Sequence, residues 1–289
     1  MFKRILAAVD DSTRSQLVMQ AGRVLAERSG GALVALRVRP DTAERDRVTE
    51  DDLAMSEQTS DLRSEGIPAH YLVHTGSPER QIIETAQRQR STLIIIASRL
   101  AGPRLAPRRR MTVRLTEQAP APLLVIPEQD SATHAGASAD DLFGAERAPI
   151  LVALDGSTWA EQALPYAAEL AALLGHPLAL LRVASPLDTQ AQMAAAWANV
   201  EDARRRVREH ISRDLSVDVQ VVSGSPVDEM LWAIEGRRAG ALALTARAWR
   251  ANATSHASPI TVEILRKAHT PALVVPTPVL AEQAHASPL

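Results

Sequence analysis

The feature that most constrains this chain is a nine-residue stretch that occurs twice, at residues 5–13 and 150–158. The copies read Ile-Leu-Ala-Ala-Val-Asp-Asp-Ser-Thr and Ile-Leu-Val-Ala-Leu-Asp-Gly-Ser-Thr, and they are identical at six of nine positions. In each copy an aliphatic run ends in an acidic residue and a Ser-Thr pair, and a helical pattern follows. This order predicts a buried parallel strand whose carboxyl end leads directly into a helix. Ligands of open α/β sheets bind at that edge, so Asp10 and Asp155 mark two candidate sites.

The repeat continues along the chain. Three further pairs of segments match in the same order: 37–38 with 182–183, 75–78 with 223–226, and 112–113 with 261–262. The spacing within the pairs grows only from 145 to 149 residues, so both halves carry the same elements in the same order. Two copies of so long a period indicate duplicated domains rather than a solenoid.

Both halves alternate short aliphatic runs with helical patterns, which predicts βαβ units and parallel sheets with helices on both faces. In the first half we predict strands at 3–9, 32–38, 69–74, 92–97 and 123–126 and helices at 14–28, 43–64, 78–90 and 111–119. In the second half we predict strands at 149–154, 178–184, 217–223, 241–245 and 272–275 and helices at 159–174, 188–214, 226–237 and 259–268.

Composition narrows the functional classes. Of the 289 residues 46% are hydrophobic and 23% charged, and the net charge of −2 gives no reason to expect nucleic acid as a partner. No apolar run approaches a membrane span of about 20 residues. The absence of cysteine excludes thiolate metal sites and fits a reducing compartment, and we expect the cytoplasm. The eight histidines lack the spacing of a zinc helix, so no metal site is predicted.

The small and polar residues between the halves predict a linker. The predicted organisation is a first domain at 1–127, a linker at 128–148, a second domain at 149–277 and a tail at 278–289.

Taken together, these motifs resemble the universal stress protein family, as two domains in one chain. The resemblance rests on the two Asp-x-Ser-Thr stretches, the two Gly-Ser-Pro turns at 76–78 and 224–226, and the Pro-bounded strands at 122–127 and 271–276. It implies two flavodoxin-like domains, each a five-stranded parallel sheet with helices on both faces. Family members usually dimerise, often through the last strand, so we expect the halves to pair internally. A homodimer of the whole chain stays open.

One branch of the family binds ATP through the pattern Gly-x-x-Gly, nine residues, then Gly with Ser or Thr. The first half departs from it: residues 97–100 are Ala-Ser-Arg-Leu, and the third glycine falls on Arg109 or Arg110. Side chains then fill the space that phosphates need. Arg104, Arg108, Arg109 and Arg110 are interpreted as a solvated basic loop, with anion binding through guanidinium groups as the alternative.

The second half also lacks the glycines, but its residues are smaller. Residues 245–248 are Thr-Ala-Arg-Ala, Ser258-Pro259 follows after nine residues, and Gly156 is expected to keep the turn after the first strand open. If either half binds ATP or AMP, we therefore expect the second, although Asp155 and Ser157 are also suited to capping the next helix. The candidate cofactor-binding residues are Asp155, Gly156, Ser157, Val183, Thr245, Arg247, Ala248 and Ser258.

These observations predict a non-enzymatic stress-response or regulatory protein that acts through protein contacts, with degenerate nucleotide motifs and no cofactor. The alternative is an ATP- or AMP-binding sensor that uses the second domain. Catalysis is not expected, because the sequence offers no phosphate loop with Gly-Lys-Ser/Thr and no paired nucleophile and base.

Overall fold

A computed structural model describes residues 1–12, 14–41, 49–97, 107–127, 142–246, 259–276 and 279, with the backbone alone at 107–110. The first half contains strands β1 (Arg4–Val9), β2 (Ala32–Arg39), β3 (Ala69–Thr75), β4 (Leu93–Ala97) and β5 (Leu123–Ile126). The second contains β6 (Ile150–Leu154), β7 (Leu178–Ala184), β8 (Val217–Ser223), β9 (Ala241–Thr245) and β10 (Ala272–Val275).

Helices connect these strands. In the first half they are α1 (Ser15–Ser29), α2 (Glu50–Ser64), α3 (Pro78–Arg88) and α4 (Pro107–Gln118). In the second half they are α5 (Thr158–Glu161), α6 (Leu164–Leu174), α7 (Gln190–Arg206), α8 (Pro226–Arg237) and α9 (Pro259–Lys267), and a π-helical turn at Val207–Ile211 continues α7.

All ten strands form one sheet in the order β3-β2-β1-β4-β5-β10-β9-β6-β7-β8. Within each half every neighbouring pair is parallel, as predicted. The two halves meet where β5 pairs antiparallel with β10, which is the internal pairing that we expected. Because the strands of one half run opposite to those of the other, the carboxyl ends of β1 and β6 lie on opposite edges of the sheet.

The register of this central pairing is symmetric. Leu124 lies opposite Leu273, and the flanking partners are Leu123 with Val274 and Val125 with Ala272. Leu124 and Leu273 occupy the same place in the two copies of the repeat, so the pseudo-twofold axis passes between them. Both leucines are completely buried, which makes this pair the centre of a self-complementary interface of the kind found in twofold dimers.

Helices cover both faces of the sheet. One apolar core lies under α1, α2, α6 and α7, and the other lies under α3, α4, α8 and α9. The first core crosses between the halves, where the rings of Phe2 and Tyr166 stack with centroids 6.4 Å apart. Nearby, Arg28 Nη1 donates a hydrogen bond to the Leu173 carbonyl at 3.1 Å. The halves therefore share a core as well as a sheet.

Most predicted elements are present within one or two residues, but four helices differ. Helix 159–174 is divided because Pro165 has no N–H to donate to the Glu161 carbonyl. Helix 111–119 begins four residues early at Pro107, a residue that suits a first helical turn. Helix 43–64 begins at Glu50 in the described residues, with Thr49 as its cap, and helix 188–214 ends at Arg206 before the π turn.

Helix ends show how local sequence sets these boundaries. Gly30 and Gly175 end α1 and α6 with φ of 59° and 73°, the left-handed conformation that glycine adopts without strain. Ser77 and Ser225 hold the N-cap positions of α3 and α8, each followed by a proline. However, neither serine side chain makes a cap hydrogen bond.

The end of the predicted linker packs against the second half. Leu142 and Phe143 are 2% and 1% exposed and belong to the first apolar core. Residues 128–141 lie outside the described ranges, and the predicted domain boundaries remain a prediction.

The central pairing predicts an energetic coupling between the halves. Leu124→Ala and Leu273→Ala should each lower the free energy of unfolding by about 2–5 kcal/mol, because each leaves a cavity. The double variant should differ from the sum by roughly 0.5–3 kcal/mol, because the two side chains are direct partners. Urea unfolding of the wild type, the two single variants and the double variant measures all four free energies.

The matched control combines Leu36→Ala with Leu181→Ala. These leucines are also buried, but they lie on β2 and β7, which have six strands between them. Their effects should add to within about 0.5 kcal/mol. Additivity of the central pair as well would contradict the pairing.

Candidate functional site

The repeated Asp-x-Ser unit forms the same local turn in both halves. Asp10 Oδ1 accepts hydrogen bonds from Ser12 N at 3.0 Å and from Ser12 Oγ. Asp155 Oδ1 accepts from Ser157 N at 2.9 Å and from Ser157 Oγ at 2.6 Å. Asx turns of this kind arise from the short carboxylate side chain itself. Both aspartates therefore have a structural role, because their side chains hold the turn that follows the strand.

The helix that follows is held differently in the two halves. Ser157 Oγ accepts from Ala160 N at 3.1 Å and caps α5, as predicted. In the first half the helix starts later, and Ser15 Oγ bonds both Asp10 N at 2.7 Å and the Asp10 carbonyl at 2.6 Å. Ser12 therefore does not cap α1, because Arg14 holds the N-cap position.

A cavity of about 650 Å³ opens in the first half at the carboxyl ends of β1, β2 and β4. Most of its wall is aliphatic, and the rest is polar. The aliphatic part comprises Ala8, Val9, Leu36, Val38, Pro40, Pro78, Ile82, Ile96, Ala97 and Met111, and the polar part comprises Asp10, Asp11, Ser15, Arg37, Arg39 and Thr49. A pocket of this size and character is typical of a small-molecule site.

An ion network centred on Arg37 contributes polar groups to the cavity wall. This arginine is 8% exposed. Its guanidinium group lies 3.1 Å from Asp52 and 3.5 Å from Asp51, and it also pairs with Asp11. A buried guanidinium is stable only when its charge and its donors are matched in this way. The network therefore fixes Arg37 at the cavity wall.

Asp52 is the acceptor at the base of this network. It is 5% exposed and accepts hydrogen bonds from Tyr71 Oη at 2.6 Å, from Thr49 Oγ1 at 2.8 Å and from Arg39. Asp52 and Thr49 also form the capping box that begins α2. Burial raises the pKa of Tyr71 above its ordinary value, against the lowering influence of Arg37.

Sequence reasoning missed this network, because its members come from β1, β2, α2 and β3. The available signals were an arginine at position 37 in an aliphatic strand and the Thr-x-x-Asp capping pattern at 49–52. Neither signal alone indicates that the two residues meet.

The equivalent turn in the second half is occupied by an arginine. A Cβ placed on Gly156 would lie 2.1 Å from Arg182 Nη1 and 2.7 Å from its Cζ. The guanidinium group thus covers the space that glycine leaves, and Asn199 Oδ1 holds it at 2.6 Å. The expectation that Gly156 keeps this turn open is wrong, because the long side chain of Arg182 fills the gap.

Topology brings five of the predicted site residues to one edge of the sheet. Asp155 and Gly156 follow β6, Val183 lies near the end of β7, and Thr245 ends β9, which is adjacent to β6. Ser157 is buried, and the Thr245 carbonyl accepts a hydrogen bond from Thr261 Oγ1 at 3.2 Å. Arg247, Ala248 and Ser258 lie outside the described residues, so a site formed by the whole predicted set remains a prediction.

The predicted basic loop is in part helical. Arg108, Arg109 and Arg110 lie in the first turn of α4, whereas Arg104 lies outside the described ranges. Within the part of the chain that the structure describes, no three His, Asp or Glu side chains are placed to hold a metal ion. Nor does any described helix have the length and apolarity to cross a membrane.

Comparison with known proteins identifies the family. A model of the universal stress protein family matches residues 1–127 and 146–276. Because these two segments cover most of the chain, the protein belongs to the universal stress protein family, with two family domains in tandem. A comparison with curated proteins found no match.

Solved structures share the fold over the whole chain. A universal stress protein from Archaeoglobus fulgidus DSM 4304 aligns with a TM-score of 0.69 at 19% identity, covering 95% of this chain and 98% of its own. A protein of unknown function from Pseudomonas aeruginosa PAO1 gives 0.71 at 16% identity, covering 99% and 98%. The cytoplasmic domain of a prokaryotic cation chloride cotransporter gives 0.61 at 14% identity, covering 98% and 100%. At these identities the likeness concerns the fold alone.

The contact between Gly156 and Arg182 predicts an unusually sensitive glycine. Gly156→Ala should lower the free energy of unfolding by about 1–3 kcal/mol, because φ is 83° there. The new methyl should also displace the flexible end of Arg182 from Asn199, which lowers the free energy of unfolding by up to about 1 kcal/mol more. The matched control is Gly175→Ala, where φ is 73° but nothing lies within 4 Å of the new Cβ. Equal losses in thermal or urea unfolding would contradict the contact.

The buried network predicts a late titration of Tyr71. The chain has two tyrosines, so the ultraviolet absorbance of Tyr166→Phe follows Tyr71 alone. Its midpoint should lie above about pH 10, the ordinary value for tyrosine. Because the folded state favours the neutral phenol, this contribution to stability is complete below about pH 10 and is lost as pH rises through the higher folded pKa. A midpoint at or below 10 would contradict the burial of this hydroxyl.

Proposed function

We propose that this universal stress protein is a non-enzymatic stress-response regulator that binds a nucleoside-sized ligand in its first domain. The observation that carries the proposal is the 650 Å³ cavity at the carboxyl ends of β1, β2 and β4. This edge is where open α/β sheets place their ligands. Ligand occupancy would then change contacts with a protein partner.

The wall of the cavity supports a ligand with a flat apolar part and a few polar groups. Val38, Ile82 and Ile96 contribute aliphatic surface on which a base can pack. Asp10 at the mouth is an acceptor of the kind that ribose hydroxyls require. The polar groups are fewer than the aliphatic ones, as in sites where a small number of polar groups fix the orientation of the ligand.

The same residues give less support for a triphosphate. The ATP-binding branch of the family uses glycines to bring backbone amides close to phosphates, and residues 97–100 of this chain contain none. The proposed ligand is therefore a nucleoside or a nucleoside monophosphate rather than ATP. This differs from the sequence-based expectation that ATP or AMP, if bound at all, occupies the second domain.

Catalysis is not part of the proposal. The hydroxyl of Ser15, which lines the cavity, already bonds the backbone N and carbonyl of Asp10. It supports the turn and has no role as a nucleophile. Cytoplasmic location and the absence of nucleic-acid partners belong to the proposal as well, supported by the lack of cysteine and the net charge of −2.

Calorimetric titration of the full chain with adenosine, AMP and ATP tests the proposal. Adenosine and AMP should bind, and Asp10→Ala should weaken binding about tenfold or more, because a charged hydrogen-bond acceptor is lost.

The duplicated sequence supplies the control. Asp155→Ala removes an equivalent turn-forming carboxylate in the second half and should leave the affinity for adenosine unchanged. Failure of all three ligands to bind would refute the proposal. A loss of binding confined to Asp155→Ala would instead favour the sensor that uses the second domain.

A further inference from the structure

Two arginines occupy the same position in the two halves but have opposite surroundings. Arg37 on β2 is paired in register with Val9, and Arg182 on β7 is paired with Leu154. Val9 and Leu154 are the last residues of β1 and β6, so each arginine lies next to the turn after the first strand of its half. Arg37 is neutralised by Asp11, Asp51 and Asp52. Arg182 donates to the neutral amide oxygen of Asn199, and no described carboxylate lies within 4.0 Å of it.

The difference follows from two positions in the sequence. The residue after the turn aspartate is Asp11 in the first half and Gly156 in the second, so the second half has no carboxylate there. The helix that packs on the arginine presents Asp51 and Asp52 in α2 but Asn199 in α7. Arg182 therefore has no ion-pair partner among the described residues.

A half-buried guanidinium without an ion-pair partner is a good binding site for an anion, to which it donates hydrogen bonds. It has lost part of its hydration, so a matching anion recovers electrostatic free energy that water no longer supplies. The planar fork of donors fits two oxygens of a phosphate group at once. In the described contacts of Arg182, one donor nitrogen is used, by Asn199.

The charges around Arg182 define how much anionic charge the site can take. Asp155 precedes Gly156, but its Oδ1 is turned to the N–H and hydroxyl of Ser157. Glu161 of the next helix pairs with Arg206 at 2.7 Å. One guanidinium beside one carboxylate suits a single phosphate group rather than a polyphosphate.

We propose that Arg182 is the recognition residue of an anion site in the second domain, which takes one phosphate group, either free or carried by a small molecule. The site lies on the opposite edge of the sheet from the cavity of the first domain. The inference is therefore independent of the proposed function, and each can fail without the other.

Phosphate binding to the full chain tests this site directly. Thermal unfolding is followed while inorganic phosphate replaces chloride at constant ionic strength, which removes general screening effects. Phosphate should raise the Tm of the wild type, because a ligand of the folded state stabilises it. A Tm that is the same in phosphate and chloride would overturn the proposal.

Variants assign the effect to one side chain. Arg182→Gln should weaken phosphate binding about tenfold or more, because a charge-assisted contact is lost. Arg182→Lys should bind with intermediate affinity, because it keeps the charge and loses the fork. Arg205→Gln is the matched control: Arg205 is an exposed arginine of α7 paired with Asp202, and its loss should change nothing. Unchanged binding in Arg182→Gln, or an equal loss in Arg205→Gln, would overturn the assignment.

A final pair of ligands distinguishes the two sources of the phosphate. If the group belongs to a nucleotide, the part of the Tm rise that is lost in Arg182→Gln should be larger with AMP than with phosphate, and adenosine should bind equally to wild type and Arg182→Gln. If free phosphate is the ligand, AMP should gain nothing over phosphate at this site. Both outcomes support the site, whereas adenosine binding that depends on Arg182 would contradict an anion-specific role.

Discussion

The antiparallel pairing of β5 with β10 is the interaction on which the rest of this structure depends. It joins two five-stranded parallel sheets into one sheet of ten strands, with Leu124 and Leu273 facing each other on the pseudo-twofold axis. Each half would otherwise expose the edge of its last strand, and a paired edge removes that liability. The same pairing brings α1 and α6 onto one face, where Phe2 and Tyr166 extend the core across both domains. Because this pairing is antiparallel, the carboxyl ends of β1 and β6 also point in opposite directions, so the chain has two separate candidate sites.

The two halves share the same fold, but a few side chains at the carboxyl ends of their strands differ. In the first half Asp11, Asp51 and Asp52 hold the buried Arg37 in an ion network beside a cavity. In the second half Gly156 and Asn199 replace that acidic environment, and the guanidinium of Arg182 lies over the turn. The shared Asp-x-Ser turn is thus a structural unit in both domains, and the neighbouring charges decide which chemistry each edge favours.

Much of the fold was predictable from sequence, because buried parallel strands are continuous aliphatic runs bounded by Gly, Pro and polar residues. Leu93–Ile96 and Ile150–Val152 are examples that are buried on both sides. Helix limits were harder, since Pro165 divides one helix whereas Pro107 begins another, and the two roles depend on backbone context. The position of Arg182 over Gly156 was not predicted. A glycine indicates room at the backbone, but which distant side chain takes that room depends on packing between β6, β7 and α7. The Arg37 network was hidden for the same reason, because Asp52 and Tyr71 reach it from α2 and β3.

The central claim is that the two edges of one continuous sheet have diverged, with a nucleoside cavity beside Asp10 and an anion site at Arg182. A crystal structure of the full chain grown with adenosine and phosphate tests both halves of that claim in one measurement. The account predicts density for adenosine among Asp10, Val38 and Ile82, and density for phosphate on the guanidinium of Arg182. Adenosine bound beside Asp155, or both edges occupied only by water, would contradict it.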